Sequence, residues 1–353
     1  MKGRIIGIVV AVVVIVGVFL FILPRIADYG AVWDTIKGLS REQIAVLAAA
    51  EIFNILTFAP PFMAALPGLS FLRALVVTQA STASTYIAPG GAAVGMGVGY
   101  AMLRAWRFAA PAVALAVTLT GVWNQLFMLG APAIALALLT VAGGSNGLLQ
   151  TVALIGLAVF IVAVAAFAAA LSGDRVARWI GGKAAQITDW CLRLIRRKPV
   201  TWGGESLVRF RRQATGLLRR RWWALTLATL AGQLSVFVVL LVCLRTLGVD
   251  ESQVTLTEAF AGWTLVRLLG SLPITPGGVG IVELGLTGAL VGFGGANDAV
   301  VAAVLLYRVL TVLPTLVLGT AAGLSWRRWR PAEAGAPVDV ALPLGTDERG
   351  ARR

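Results

Sequence analysis

Three ionisable residues lie inside apolar segments in the last third of the chain: Arg267, Glu283 and Arg308. A charge at the centre of a bilayer costs about 2.5–3.5 kcal/mol on insertion scales, so each of these side chains needs a partner or water. Guanidinium groups bind phosphate and carboxylate groups well. These residues therefore predict either a buried Glu283–Arg308 pair that locks the structure or a polar cavity for a charged head group. Both hold if the pair opens when a ligand binds.

The glutamate follows a break in the apolar sequence, which reads SLPITPGGVGIVELGL at 271–286. Pro276, Gly277 and Gly278 are poor helix formers, and unpaired backbone groups in lipid cost several kcal/mol each. Such a break is tolerated inside protein or facing water. A new helix near Val279 would point its first amides at a phosphate or carboxylate. The alternative is a glycine-rich turn that packs closely between helices.

Other polar residues in apolar runs are candidates for the same space. Glu51 and Asn54 are three residues apart and share one face of a helix. Further candidates of this kind are Gln79, Trp123, Asn124, Gln125 and Gln233. Taken singly, each of these is more typical of a hydrogen bond between helices than of a ligand contact.

The whole chain is too apolar for a soluble domain. Of its 353 residues, 58% are hydrophobic and 13% are charged, whereas soluble domains carry about 25% charged residues. Runs that approach or exceed the roughly 20 residues needed to cross a bilayer occur at 5–23, 43–66, 109–141, 148–171, 222–246 and 299–323. We therefore predict an all-α polytopic membrane protein with about six transmembrane helices. The first run is interpreted as an uncleaved span rather than a signal peptide.

Two further apolar segments, 71–103 and 257–295, are broken at APGG and TPGG. Each is compatible with one kinked span or with a re-entrant hairpin of two short helices. The first is flanked by basic residues and the second by acidic ones, which favours hairpins that enter from opposite sides. The breaks also align, with Pro89, Gly90 and Gly91 opposite Pro276, Gly277 and Gly278. An inverted repeat of broken helices is typical of transporters.

The distribution of charge predicts the orientation and four regions. Residues 172–221 contain thirteen basic and three acidic residues, which predicts a cytoplasmic loop. Lys2 and Arg4 predict a cytoplasmic N-terminus, and the SWRRWR segment at 325–330 predicts a cytoplasmic end of the last span. The regions are a first membrane half (1–171), this basic loop (172–221), a second membrane half (222–325) and a disordered cytoplasmic tail (326–353). Within the loop, four apolar residues recur at helical spacing and predict an amphipathic helix on the membrane surface: Trp179, Ile187, Trp190 and Leu194.

Several classes of function are disfavoured by what the sequence lacks. The net charge is +14, but no stacking or base-reading motif accompanies it, so nucleic acid is not an expected partner. There is no histidine, and Cys191 and Cys243 have no metal-type spacing. No nucleotide phosphate-binding loop occurs either. We predict no metal site and no cofactor.

The segments PGGVGIVELGL and YRVLTVLP together resemble the lysylphosphatidylglycerol synthase transmembrane (flippase-like) family. Similar domains form the N-terminal half of bacterial multiple peptide resistance factors. The resemblance implies a bundle with two re-entrant hairpins around a lipid-accessible cavity, and movement of aminoacylated phosphatidylglycerol between leaflets. It also implies that Glu283 and Arg308 take part in this movement of lipid. The first-half motif departs from the family, because Gly95 and Met96 stand opposite Val282 and Glu283, which argues against a symmetric mechanism.

From these observations we expect a lipid translocase in a bacterial cytoplasmic membrane, acting on a phosphate-bearing lipid such as a modified phospholipid or a polyprenyl-phosphate conjugate. No aminoacyl-transfer domain is recognised, so the chain is not expected to be an enzyme. The alternatives are a membrane-embedded lipid-modifying transferase and a non-transporting anchor or regulator of a separate cell-envelope enzyme; a homo-oligomer stays open. The predicted substrate-binding residues are Glu283, Arg308, Gly277, Gly278, Arg267, Pro276, Glu51 and Asn54.

Overall fold

The computed structural model describes residues 37–88, 91–141, 147–194, 203–271 and 276–326. Throughout these ranges the regular structure is helical, without β-strands, as predicted. The helices are α1 (Arg41–Thr57), α2 (Pro60–Ala65), α3 (Phe71–Ile87), α4 (Gly91–Ala105), α5 (Ala110–Val141), α6 (Gly147–Ser172), α7 (Asp174–Leu194), α8 (Gly204–Thr246), α9 (Leu256–Gly270), α10 (Ile281–Gly292) and α11 (Asn297–Ser325). A short 3₁₀ turn, Pro276–Gly278, precedes α10.

Five helical segments are long and apolar enough to cross a membrane, and they identify a multi-pass membrane protein. They correspond to five of the six predicted runs: Arg41–Ala65, Ala110–Val141, Leu154–Ser172, Gly204–Thr246 and Asn297–Ser325. The predicted run at 5–23 lies outside the described residues, as does nearly all of the predicted tail. The total of six spans therefore stays a prediction.

Helix α8 is longer than the apolar run that predicted it. It begins at Gly204 instead of 222 and continues without interruption from the basic segment into the span. Arg211 fixes its basic end, because this side chain donates to Leu171 O at 2.9 Å and to Asp174 Oδ1 at 2.6 Å. Arg212 binds the other carboxylate oxygen at 2.6 Å. This hydrogen bond, with the charges of both arginines, lowers the pKa of Asp174.

The predicted amphipathic helix is present as α7. It follows α6 after a single residue and packs against the basic end of α8. Trp179 and Trp190 are both exposed on its surface, whereas the side chains of Ile187 and Leu194 lie outside the described set. Exposed tryptophans beside basic residues are typical of a helix at a membrane interface.

Each broken apolar segment folds as two helices that contact each other. The first contains α3 and α4, and its Pro89–Gly90 break lies outside the described residues. The second contains α9 and α10, with the 3₁₀ turn between them. Gly277 in this turn has φ +61°, and a Cβ there would lie 2.4 Å from Cδ1 of Tyr86 on α3. The turn of the second helix pair thus contacts the end of α3.

Helix α3 also packs along the last span, α11, at very short range. A Cβ added to Gly319 would lie 2.4 Å from Gln79 O and 2.3 Å from Ala83 Cβ. The absent side chain lets the two backbones approach, as small residues do between membrane helices. This contact joins the first helix pair to the second half of the chain.

Apolar side chains form two main cores, and each core contains one of the two helix pairs. One joins α1, α8, α9, α10 and α11 around Trp263 and Leu286. The other joins α2, α3, α4, α5, α8 and the end of α11 around Trp106 and Leu119. Helices α8 and α11 contribute buried residues to both cores, so these two long helices join the two parts of the bundle.

Candidate functional site

A polar cavity of about 310 Å³ lies where the two helix pairs meet the spans. Helices α1, α3, α5, α8, α9, α10 and α11 and the 3₁₀ turn all contribute to its wall. Two of the predicted ionisable residues, Arg267 and Arg308, line it, together with Asn54, Gln79, Thr82, Thr85, Tyr86, Asn124, Gln233, Gly277, Tyr307, Thr311 and Thr315. Residues that the sequence scatters over 262 positions therefore surround one space.

The predicted Glu283–Arg308 ion pair is formed, and both carboxylate oxygens of Glu283 accept hydrogen bonds from groups of the protein. Arg308 Nε lies 2.6 Å from Glu283 Oε1, and the two side chains are 11% and 3% exposed. The second oxygen, Oε2, accepts the amide of Gly280 at 2.6 Å. Arg308 also donates from Nη2 to Gly277 O at 3.2 Å. The pair therefore joins α11 to the break and to the start of α10.

Glu283 occupies the place that the sequence suggested for an anionic ligand. Its carboxylate accepts from Gly280 N at the N-terminus of α10, where a negative charge is favourable because of the exposed amides. In this structure the start of the helix thus binds the protein's own carboxylate. Glu283 does not line the cavity, whereas its partner Arg308 does.

Arg267 is the second cation of the cavity, and its surroundings are different. It has no carboxylate partner among the described residues. Its Nη2 donates to Gln233 Oε1 at 2.9 Å, and its guanidinium carbon lies 4.9 Å from the centroid of the Trp263 ring. Neutral and aromatic groups hold the guanidinium, so its charge is not neutralised within the described part of the chain.

Two short chains of hydrogen bonds hold Arg267 in position. Gln233 donates to Asn124 Oδ1 and so connects α9 through α8 to α5. Trp263 donates to the hydroxyl of Tyr307 at 3.3 Å, and its ring stacks on that of Phe260. Residues on α5, α8, α9 and α11 therefore hold the guanidinium in place.

Glu51 and Asn54 form a third polar group, on α1. Asn54 lines the cavity and donates to Glu51 Oε2 at 3.2 Å. Asn54 Oδ1 accepts from Ser235 at 3.0 Å. Glu51 lies behind Asn54 and outside the cavity wall; it is 4% exposed, and its Oε1 has no hydrogen-bond partner.

A second cavity of about 810 Å³ adjoins the first. The two share wall residues, among them Phe58, Thr82, Asn124 and Gln233. Much of the second wall consists of apolar side chains from α2 to α6: Phe62, Met96, Val117, Leu126, Leu129 and Phe167. The polar space thus continues into a larger apolar one.

The structure separates the remaining polar candidates by position. Gln79, Asn124 and Gln233 line the polar cavity, and Gln125 lines the apolar one. Trp123 instead donates to Thr226 on α8 at 2.9 Å. Gly278 packs beneath Gly270 O, and the side chain of Pro276 lies outside the described set.

Sequence reasoning missed the hydroxyl groups of the cavity. Arg308, Thr311 and Thr315 are separated by three and four residues on α11, and all line the cavity. This spacing puts them on one face of an apolar helix and was a usable signal. Tyr86 and Tyr307 had no such signal, because aromatic residues are common in apolar cores.

Comparison with known protein families gives one match. A family model described as the lysylphosphatidylglycerol synthase TM region matches residues 5–319. The chain belongs to this family. The match includes every residue that lines either cavity, and it indicates a membrane protein with a lipid-related function. No curated protein matches the chain.

Proposed function

We propose that this family member is a lipid translocase whose polar cavity binds the phosphate of a lipid head group through Arg267. The observation that carries the proposal is the position of this guanidinium. It lines the cavity, and no carboxylate among the described residues neutralises it. Arg308, in contrast, is already paired with Glu283.

The energetics favour an anionic ligand. Arg267 is partly buried, and a cation withdrawn from water without a counter-charge is costly, because its desolvation is not offset by an opposite charge. Phosphate offers oxygens that match the planar fork of a guanidinium. With about 30 Å³ for each water molecule in the liquid, a space of 310 Å³ has room for a small phosphate-bearing head group.

The adjoining apolar cavity supports an amphiphile over a free anion. A lipid chain placed there would gain about 0.8 kcal/mol for each buried methylene group. Thr82 and Asn124 lie in both walls and mark the boundary between head group and chain. A modified phospholipid or a polyprenyl-phosphate conjugate has this combination of parts.

For the path across the membrane, we infer that the two helix pairs are re-entrant hairpins of opposite polarity, with the basic ends of α7 and α8 in the bacterial cytoplasm. A polar cavity where the hairpins meet would give the head group a route between leaflets while the chain stays in an apolar environment. The Glu283–Arg308 pair closes the turn of the second hairpin and would act as the gate of this route.

Translocation in proteoliposomes tests the proposal. Vesicles of phosphatidylcholine with a trace of head-group-labelled phosphatidylglycerol would contain wild type, Arg267→Ala or Arg209→Ala, and quenching of the outer leaflet would measure label transfer. Arg209 is an exposed arginine on α8 and serves as the matched control. We expect fast transfer with wild type and the control, and a loss of about tenfold or more with Arg267→Ala, because a hydrogen bond to a charged group is worth about 1.5–3 kcal/mol.

Two outcomes would contradict the proposal. Equal transfer by wild type and Arg267→Ala would remove Arg267 from the binding site. No transfer above protein-free vesicles, for phosphatidylglycerol, aminoacylated phosphatidylglycerol and a polyprenyl phosphate alike, would favour the transferase or the anchor alternative.

A further inference from the structure

Glu51 is a buried acid in the first described span that neither core packing nor the Glu283–Arg308 pair explains. It lies on α1 with 4% of its surface exposed. One carboxyl oxygen accepts from Asn54 at 3.2 Å, and the other has no hydrogen-bond partner. An apolar residue at this position would avoid the cost of a partly satisfied polar group, so its presence calls for a role.

Asn54 connects this acid to the polar cavity. Its side chain lines the cavity, donates to Glu51 and accepts from Ser235 on α8. A ligand oxygen near Asn54 would compete for the amide hydrogens that now face Glu51. Since a donated hydrogen bond favours the charged form of a carboxyl group, its loss favours the protonated form.

An anion in the cavity acts on Glu51 in the same direction. A negative charge close to a buried carboxyl group disfavours ionisation of that group. Both effects make occupancy of the cavity and protonation of Glu51 mutually favourable, and linkage requires that each promotes the other equally.

We propose that Glu51 takes up a proton when an anionic lipid head group enters the cavity, so that translocation is coupled to proton movement. This inference rests on the proposed function, because it needs an anionic ligand in that cavity. It adds that a proton gradient across the membrane can drive or oppose the transfer.

Other titratable groups near α1 have to be separated from Glu51 in any test. From α8, Cys243 interacts electrostatically with it. From α11 and α3, Arg308, Tyr307 and Tyr86 line the cavity that Asn54 also lines. In model compounds, thiol, phenol and guanidinium groups titrate above about pH 8, so the measurements are made between about pH 5.5 and 7.5. Cys243→Ala provides an additional control.

Calorimetry of the purified full chain in nonionic detergent tests the coupling directly. Short-chain phosphatidylglycerol would be titrated at three pH values in buffers that differ in ionisation enthalpy, which reports the number of protons taken up. For wild type we expect net uptake, and an affinity that rises by about tenfold as pH falls across this range, as one charged hydrogen bond would provide. Glu51→Gln should bind with an affinity that no longer depends on pH and without proton uptake.

Glu42→Gln is the matched control, because Glu42 is an exposed acid on the same helix. This variant should keep both the pH dependence and the proton uptake. Size-exclusion profiles of each variant establish that it is folded, and Glu51→Asp, which keeps the acid, provides a second test of the same group. We expect this variant to retain proton uptake.

The outcomes separate this inference from the proposed function. Binding by wild type without proton uptake, or pH dependence that survives in Glu51→Gln, overturns the coupling and leaves the lipid site intact. Absence of binding at every pH overturns both. In proteoliposomes, an imposed pH gradient should change the wild-type transfer rate severalfold and leave the Glu51→Gln rate unchanged.

Discussion

The two arginines of the polar cavity show how residues of one type take different roles through their neighbours. Arg308 donates to a carboxylate and to a backbone carbonyl, which leaves its charge balanced. Arg267 has an amide and an aromatic ring instead. The first arrangement neutralises the guanidinium, whereas the second leaves a cation without a counter-charge among the described residues.

Glu283→Gln should therefore destabilise the fold. The substitution keeps the shape of the side chain but leaves the Arg308 charge buried without a counter-charge, and breaking such a pair costs about 3 kcal/mol or more. We expect a lower melting temperature in detergent. Removing both charges in Glu283→Gln/Arg308→Gln should recover much of the loss.

Arg267→Ala provides the comparison for this prediction. Because Arg267 is not paired with an acid among the described residues, its removal should leave the melting temperature close to that of wild type or raise it. A large decrease would indicate that Arg267 is a structural residue. Equal melting temperatures for Glu283→Gln and wild type would contradict the structural role of the pair.

At the scale of single residues, the sequence predicted the Glu283–Arg308 pair. It left open whether this pair locks the fold or lines a cavity. The structure shows the pair closed beside a cavity that only Arg308 lines. The position of Arg267 next to Gln233 was not predictable, because it depends on how α8 and α9 pack. No spacing rule relates side chains on different helices.

At the scale of helices, the apolar runs predicted the spans well because composition alone separates lipid-spanning segments from other helices. The first and last residues of the helices were less predictable. Helix α8 extends to Gly204 since the basic segment before the span has strong helix formers and is clamped by Asp174. The Pro-Gly-Gly breaks correctly divided each broken segment into two helices.

Gly319 and Gly323 are four residues apart in an apolar helix, a spacing typical of close packing between membrane helices, and the contact of Gly319 with α3 can be tested directly. Gly319→Ala should push the helices apart, because the new Cβ would lie 2.4 Å from Gln79 O. Overpacking of this kind typically costs about 1–3 kcal/mol. We expect a lower melting temperature and slower lipid transfer, since Gln79 also lines the cavity.

Gly323→Ala is the matched control for that prediction. It lies one turn further along α11, and a Cβ there would meet nothing within 4 Å. Alanine is the better helix former, so this variant should be as stable as wild type or slightly more so. Equal effects of the two substitutions would show that loss of glycine itself, and not the α3 contact, is responsible.

For the whole molecule, the distribution of charge predicts which ends of the helices face the cytoplasm. In a background without Cys191 and Cys243, we would introduce Arg175→Cys on α7 and, separately, Asp298→Cys at the start of α11; both positions are exposed. A membrane-impermeant thiol reagent applied to intact cells should label position 298 only. Labelling of position 175 in intact cells would reverse the proposed orientation.

Helix α8 connects the two ends of this arrangement. Arg211, at the basic end, and Gln233, which touches Arg267, lie on one helix without an internal proline, about 33 Å apart at 1.5 Å per residue. A rod of that length works as a lever: tilting it by only about 5° displaces one end by roughly 3 Å relative to the other, the length of a hydrogen bond. If the hydrogen bond between Gln233 and Arg267 breaks and α8 tilts by this angle, the α6–α7 corner bound by Arg211 moves by about the length of a hydrogen bond. A fluorophore attached at this corner would detect the movement.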